Sequence, residues 1–250
     1  MLPLLRPDWP APAHVRAAMT TRQGGVSAGA FASLNLGRSG GDDPKAVDEN
    51  RRRVFEALGL PAEPDWIRQV HGIRVMRAPL ATPGPEADAI YTTQAGRVCL
   101  VQAADCLPVL FCDDDGTVVA AAHAGWRGLS AGVLEATVAA MPAKPAGLMA
   151  WLGAAIGPDA FEVGPEVRDA FVAADPAAAR AFKPGKPGKF FADLYVLARQ
   201  RLGRAGGTRV FGGGRCTHTE HEVFFSFRRD ASAGRQAALV WLDSGAKTAR

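Results

Sequence analysis

Two histidines and one cysteine stand where the sequence breaks its own strand-like runs. His71 lies in Gln69-Val70-His71-Gly72, between two short apolar stretches, so its imidazole projects from a turn. His123 closes an apolar run and opens Ala124-Gly125-Trp126-Arg127-Gly128, whose glycines permit a tight turn before a helix. Cys106 follows Asp105 and precedes Pro108, interrupting what would otherwise be one long strand from Val98 to Cys112. Two imidazoles and a thiolate suit zinc, and three protein ligands leave the fourth tetrahedral position open for water or substrate. The same residues suit a metal-free hydrolase in which Cys106 attacks and His123 is its base. Their spacing holds nothing like HExxH or CxxC, so each could equally be a satisfied core or turn residue.

Anion chemistry has candidates of its own. Arg22, with Gly24, Gly25 and the hydroxyls of Thr21 and Ser27, has a planar fork suited to phosphate, though a surface arginine in a hairpin turn fits the same residues. In Ser226-Phe227-Arg228-Arg229, read as the end of a strand over 223–227, alternation sends one arginine inward, where it needs a partner or an anion. No GxxxxGK loop and no GxGxxG between a strand and a helix is present, which disfavours nucleotide binding through those loops. The cluster Cys216-Thr217-His218-Thr219-Glu220-His221-Glu222 reads as a solvated loop, and Cys99 and Cys112, inside apolar runs, as small core residues.

These residues need elements to hold them. Asp43 and Pro44 read as N-cap and first turn of a helix over 44–58, stopped by Gly59. Strands are predicted over 66–70, 73–76, 89–93, 98–102, 109–112 and 117–122, the last two joined as a hairpin by Asp113-Asp114-Asp115-Gly116. A helix over 129–141, a buried strand over 148–156, helices over 166–174 and 193–202, and strands over 223–227 and 237–242 follow. Regular βαβ alternation is absent, so the expected class is α+β, a mixed α/β layered sandwich, in one domain over residues 1–250.

Composition bounds the function. With 48% hydrophobic and 22% charged residues the chain is globular rather than disordered. A net charge of +4 is a mild excess that favours an anionic small molecule, whereas nucleic-acid binding needs a denser basic stripe. Arg51, Arg52 and Arg53 fit a solvated helix face. No apolar run approaches membrane-spanning length, and Pro3, Arg6, Asp8, Pro10 and Pro12 occupy the place of a signal peptide's apolar region, so the expected location is the cytoplasm, with thiols reduced and no membrane partner.

A run of motifs then carries a resemblance: Thr21-Arg22-x-Gly24-Gly25-Val26-Ser27, Ser33-Leu34-Asn35-Leu36-Gly37, Gln69-x-His71-Gly72, Ala87-Asp88-Ala89, Ala104-Asp105-Cys106-x-Pro108, His123-Ala124-Gly125-Trp126-Arg127-Gly128, Cys216-Thr217 and Ser226-Phe227-Arg228-Arg229. Over nearly its whole length the chain resembles the YfiH-like laccase-domain family. The resemblance implies a fold related to a deamidating toxin domain with a Cys-His site, and it implies that His71, Cys106 and His123 bind the metal. It also implies purine nucleoside phosphorylase activity, with phosphate as co-substrate, on adenosine, inosine, guanosine and methylthioadenosine, plus adenosine deamination. Zinc is the expected metal; copper is less suited, since only five histidines are present and none forms a His-x-His pair. Arg22, Gln69, Asp105 and Arg228 are the expected substrate-binding residues. Older family labels add a rival from another class, a factor that recognises peptidoglycan precursors. Phe227 stands where the family often has tyrosine.

Overall fold

The computed structural model describes residues 2–82, 84–243 and 245. Along the chain run β1 (Leu4–Leu5), β2 (Val15–Thr20), α1 (Pro44–Leu58), β3 (Val75–Arg77), β4 (Ala89–Thr92), β5 (Val98–Ala103), β6 (Leu107–Asp113) and β7 (Val119–Ala124). Then come α2 (Trp126–Ala131), α3 (Val133–Ala140), β8 (Leu148–Leu152), β9 (Glu162–Val163), α4 (Pro165–Ala174), β10 (Phe182–Pro184) and β11 (Phe190–Ala192). The last are α5 (Leu194–Arg204), β12 (Arg209–Gly212), α6 (Phe227–Asp230) and β13 (Gln236–Leu242). No helix among the described residues is long and apolar enough to cross a membrane.

These elements stack in layers. A four-stranded sheet, β1-β2-β13-β5, faces a six-stranded sheet, β12-β8-β6-β7-β4-β3, and Met19, Val101, Leu110, Ala121 and Val240 fill the space between them. On the far side of the smaller sheet Val54 of α1 packs with Leu36, Leu100 and Leu239. The far side of the larger sheet is covered by helices, with Leu134, Val167, Phe171 and Leu197 against Val109 and Leu152. A third sheet, β10-β11-β9, lies beside those helices. The mixed layered sandwich read from the sequence is therefore present. Every residue of β6, β7 and β13 is buried, which explains why their sequences are continuous apolar runs.

The helix over 44–58 forms as expected: Asp43 accepts from the Lys45 amide, Pro44 occupies the first turn and Gly59 takes the left-handed conformation at φ 58°. The expected hairpin is β6–β7, and Asp113 organises its turn by accepting from the Thr117 and Val118 amides and the Thr117 hydroxyl. Cys99 and Cys112 are buried as core residues, and burial pushes both thiol pKa values up.

Four expectations are corrected. The helix over 129–141 is two helices, broken at Gly132, whose φ is 104°. The strand over 148–156 ends at Leu152, and Ala155 continues only as an isolated bridge to Cys216. Residues 66–70 form no strand, and pairing in the following run begins only at Val75, because the amides of Val70, His71 and Gly72 donate to a side chain, Asp88. Residues 223–227 form no strand either: Ser226 caps α6 by accepting from the Arg229 amide, which places Arg228 and Arg229 on a helical turn.

Candidate metal centre

Sheet register assembles the centre. Pro108 of β6 pairs with His123 of β7, so Cys106, just before β6, lies at the same end of the pair as His123. Ala89 of β4 pairs with Ala122, which sets Asp88 beside His123. His71 arrives from the loop that leads into β3. The Sγ of Cys106, a nitrogen of His71 and a nitrogen of His123 all lie within 4.8 Å of one another, with Cys106 Sγ 3.8 Å from His71 Nε2. The two imidazole rings meet edge to face at 4.9 Å. His123 is buried, Cys106 partly covered and His71 exposed.

Asp88, wholly buried, ties this group together. One carboxylate oxygen accepts from the His71 amide at 2.9 Å and from His123 Nδ1 at 2.8 Å; the other accepts from the Val70 and Gly72 amides at 3.1 and 2.7 Å. An ionised carboxylate only accepts, so Nδ1 of His123 carries the proton and Nε2 is left to bind. The captured amides also explain how His71 tolerates a φ of 61°, a conformation unusual for a residue with a side chain. Burial pushes the Asp88 carboxyl up, but the hydrogen bonds from His123 and from the Gly72 and Val70 amides outweigh it and hold its pKa below the ordinary value. Burial likewise opposes a Cys106 thiolate, yet the His123 and His71 imidazoles outweigh it and lower the thiol pKa. The thiolate in turn raises His123 against the effect of its own burial.

Close packing leaves no slack. A Cβ on Gly125 would come within 2.7 Å of His71 Cδ2 and 3.0 Å of Cys106 Sγ, so the turn after β7 requires glycine for space, its φ of −63° being ordinary. Asp105 holds the corner before Cys106 at a φ of 87°, its carboxylate accepting from the Thr217 hydroxyl at 2.6 Å and the Arg228 amide at 2.7 Å. A tetrahedral zinc with bonds of ~2.0–2.3 Å sets its ligands roughly 3.3–3.8 Å apart, and the soft thiolate with two imidazoles is an appropriate donor set. The residues present therefore fit a metal.

The remaining expected site residues are placed differently. Gln69 gives its side chain to the backbone of Gln102, donating to the carbonyl and accepting from the amide, both at 2.7 Å. Arg22 lies on the Phe225 ring and donates to the Ala32 and His221 carbonyls. Arg228 donates from its side chain to the Glu162 carbonyl. The Cys216–Glu222 segment is a loop as expected but not wholly solvated: Thr217 is buried against Asp105, while Glu220 accepts from the Cys216 amide and pairs with Arg215. Two residues that the sequence did not assign lie at this end of the sheets: Asp88, and Arg235, which precedes Gln236 where β13 pairs with Ala103 of β5 and whose burial lowers its pKa against the opposing charges of Cys106 and Asp105.

Comparison with known proteins fits this geometry. A family model described as multi-copper polyphenol oxidoreductase laccase matches residues 16–243. This chain belongs to that family. The laccase-domain chain is 54% identical over 245 residues to a Shigella flexneri protein named purine nucleoside phosphorylase YfiH, covering 97% of this chain and 100% of that one. A Pseudomonas aeruginosa protein also named as a purine nucleoside phosphorylase is 57% identical over 95% of this chain and 98% of its own. Among solved structures, a Neisseria meningitidis protein superposes with a TM-score of 0.92 at 52% identity, covering 96% of this chain and 99% of that one.

Proposed function

We propose that this chain is a zinc-dependent purine nucleoside phosphorylase of the cytoplasm, acting on adenosine, inosine, guanosine and methylthioadenosine, with adenosine deamination as a second reaction. The observation that carries this reading is the similarity, at 54% and 57% identity and over nearly the full length, to relatives bearing that name. The converging His71, Cys106 and His123 support it with a place for the metal.

In phosphorolysis a phosphate oxygen bonds to C1′ of the ribose as the bond from C1′ to the base nitrogen breaks; the purine leaves with the electron pair and collects a proton. In deamination the oxygen of water is added at C6 and ammonia departs. His71, Cys106 and His123 would hold the zinc, which would supply Lewis-acid polarisation. The chain's own residues orient the reactants. Asp88 fixes the tautomer and direction of His123 and the backbone of His71. Asp105 and Gln69 act as positioning residues, the first through the Cys106 corner and the second through the loop that carries His71.

Incubation with inosine tests the reading. Hypoxanthine should appear only with inorganic phosphate, accompanied by ribose 1-phosphate; equal release without phosphate makes the protein a hydrolase, and no release favours a binding module. Purified protein should carry about one zinc per chain and resist alkylation at Cys106 until chelated. Copper in place of zinc overturns the metal assignment. Full activity without metal, lost in step with Cys106 alkylation, supports the metal-free Cys-His hydrolase instead.

A further inference from the structure

Phosphorolysis requires an anion held beside the reacting carbon, and the two arginines that the sequence offers for it are engaged elsewhere. Arg22 is fastened to the Ala32 and His221 carbonyls over the Phe225 ring. The Arg228 guanidinium lies over Phe161 and donates to Glu162; only its backbone amide meets the centre, through Asp105. A third arginine reaches the same corner. β13 pairs antiparallel with β5, and its first residue, Gln236, lies opposite Ala103. Arg235 therefore enters the sheet next to the Ala104-Asp105-Cys106 corner.

Its side chain is held as a receptor is held. The stem passes over Gly37, Nη1 is anchored on the Ala233 and Gly234 carbonyls, and the guanidinium lies 5.8 Å from the centroid of the Phe227 ring. Among the described residues Nε and Nη2 have no acceptor, which leaves one edge of the guanidinium fork for a ligand. Among the described residues no carboxylate pairs with that guanidinium, and the Asp105 oxygens accept from Thr217 and the Arg228 amide instead. Beside it lies one apolar group open to solvent, the Phe227 ring at 53% exposure. An exposed aromatic ring beside a charged fork suits a ligand with one anionic and one flat apolar part.

We propose that Arg235 is the residue that binds the phosphate co-substrate, its Nε and Nη2 donating to two phosphate oxygens next to the His71–Cys106–His123 centre. This inference rests on the phosphorylase reading above. The phosphate oxygen that attacks is then a third one, left clear of the guanidinium.

Steady-state kinetics of Arg235→Gln and Arg235→Lys test it. In Arg235→Gln the KM for phosphate should rise about ten- to a hundredfold, the loss expected for a charge-assisted pair, while the KM for inosine changes far less. Arg235→Lys, which retains charge and stem, should recover part of the loss. An unchanged phosphate KM in Arg235→Gln, or equal increases for both substrates, overturns the proposal. Because Nη1 also braces the 233–234 turn, melting temperatures of both variants are compared, and phosphate titration by thermal shift is run without nucleoside. Should the wild type release no base, the phosphorylase reading fails, and the titration alone decides Arg235: stabilisation by phosphate that is lost in Arg235→Gln supports an anion site, and equal stabilisation of both proteins refutes it.

Discussion

Asp88 holds two ligands with one carboxylate, so its removal strikes the metal centre twice. Asp88→Ala deprives His123 Nδ1 and three amides of their acceptor. We expect stability to fall by about 3 kcal/mol in denaturant titration, given the cost of buried donors left unpaired, and metal affinity to fall about 10- to 100-fold. The pH dependence has a defined sign. A carboxyl whose folded pKa is depressed contributes stability that is complete above its unfolded value of about 3.9 and is lost as pH falls through the folded value. Acid titration of the wild type should therefore loosen the 70–72 loop below about pH 4, read as rising amide exchange there, and Asp88→Asn should abolish that titration. The ligands themselves are legible in the sequence because each interrupts an apolar run. Asp88 is not, since a carboxylate entering a strand gives no sign of which distant amides it will meet.

At the scale of elements, two glutamines take the place of missing strands. The Gln69 side chain pairs with both backbone groups of Gln102 in β5, and the Gln236 side chain pairs with both backbone groups of Phe225. Each side-chain amide offers the donor and acceptor that a neighbouring strand would offer. This is why the runs 66–70 and 223–227 read as strands: Ile67, Phe224 and Phe225 are half-buried or buried beside a sheet, although Val70 and Phe227 are exposed, but a side chain satisfies the backbone there, and composition cannot separate the two cases. The helix over 44–58 is legible for the opposite reason, because its cap, proline and terminal glycine act locally. Gln69→Ala should cost about 1–2 kcal/mol for two lost hydrogen bonds and raise exchange at the Gln102 amide, with the rest of β5 unaffected. Protection at Gln102 equal to that of the wild type would mean that another group covers the strand edge.

For the whole molecule, the layered order was legible because strands buried on both faces announce themselves as unbroken apolar runs, as in β6, β7 and β13. The β6–β7 hairpin was legible from its turn, but the pairing of β13 with β2 and β5 was not, since that register depends on partners far away in the chain. Layering also makes the centre asymmetric. His123 is carried by a central strand between packed layers, whereas His71 is exposed and rides on a loop in the left-handed conformation, secured by hydrogen bonds to a single carboxylate. On the metal reading proposed above, entry and departure of the ion would follow an order in time, the rigid half waiting while the loop half opens first. Release into excess chelator should accelerate markedly in Asp88→Asn, which frees the loop, and little in Asp43→Ala, which frays only the far helix α1. On the proposed metal reading, the residence time of the ion is expected to be set on the side of the loop rather than of the strand.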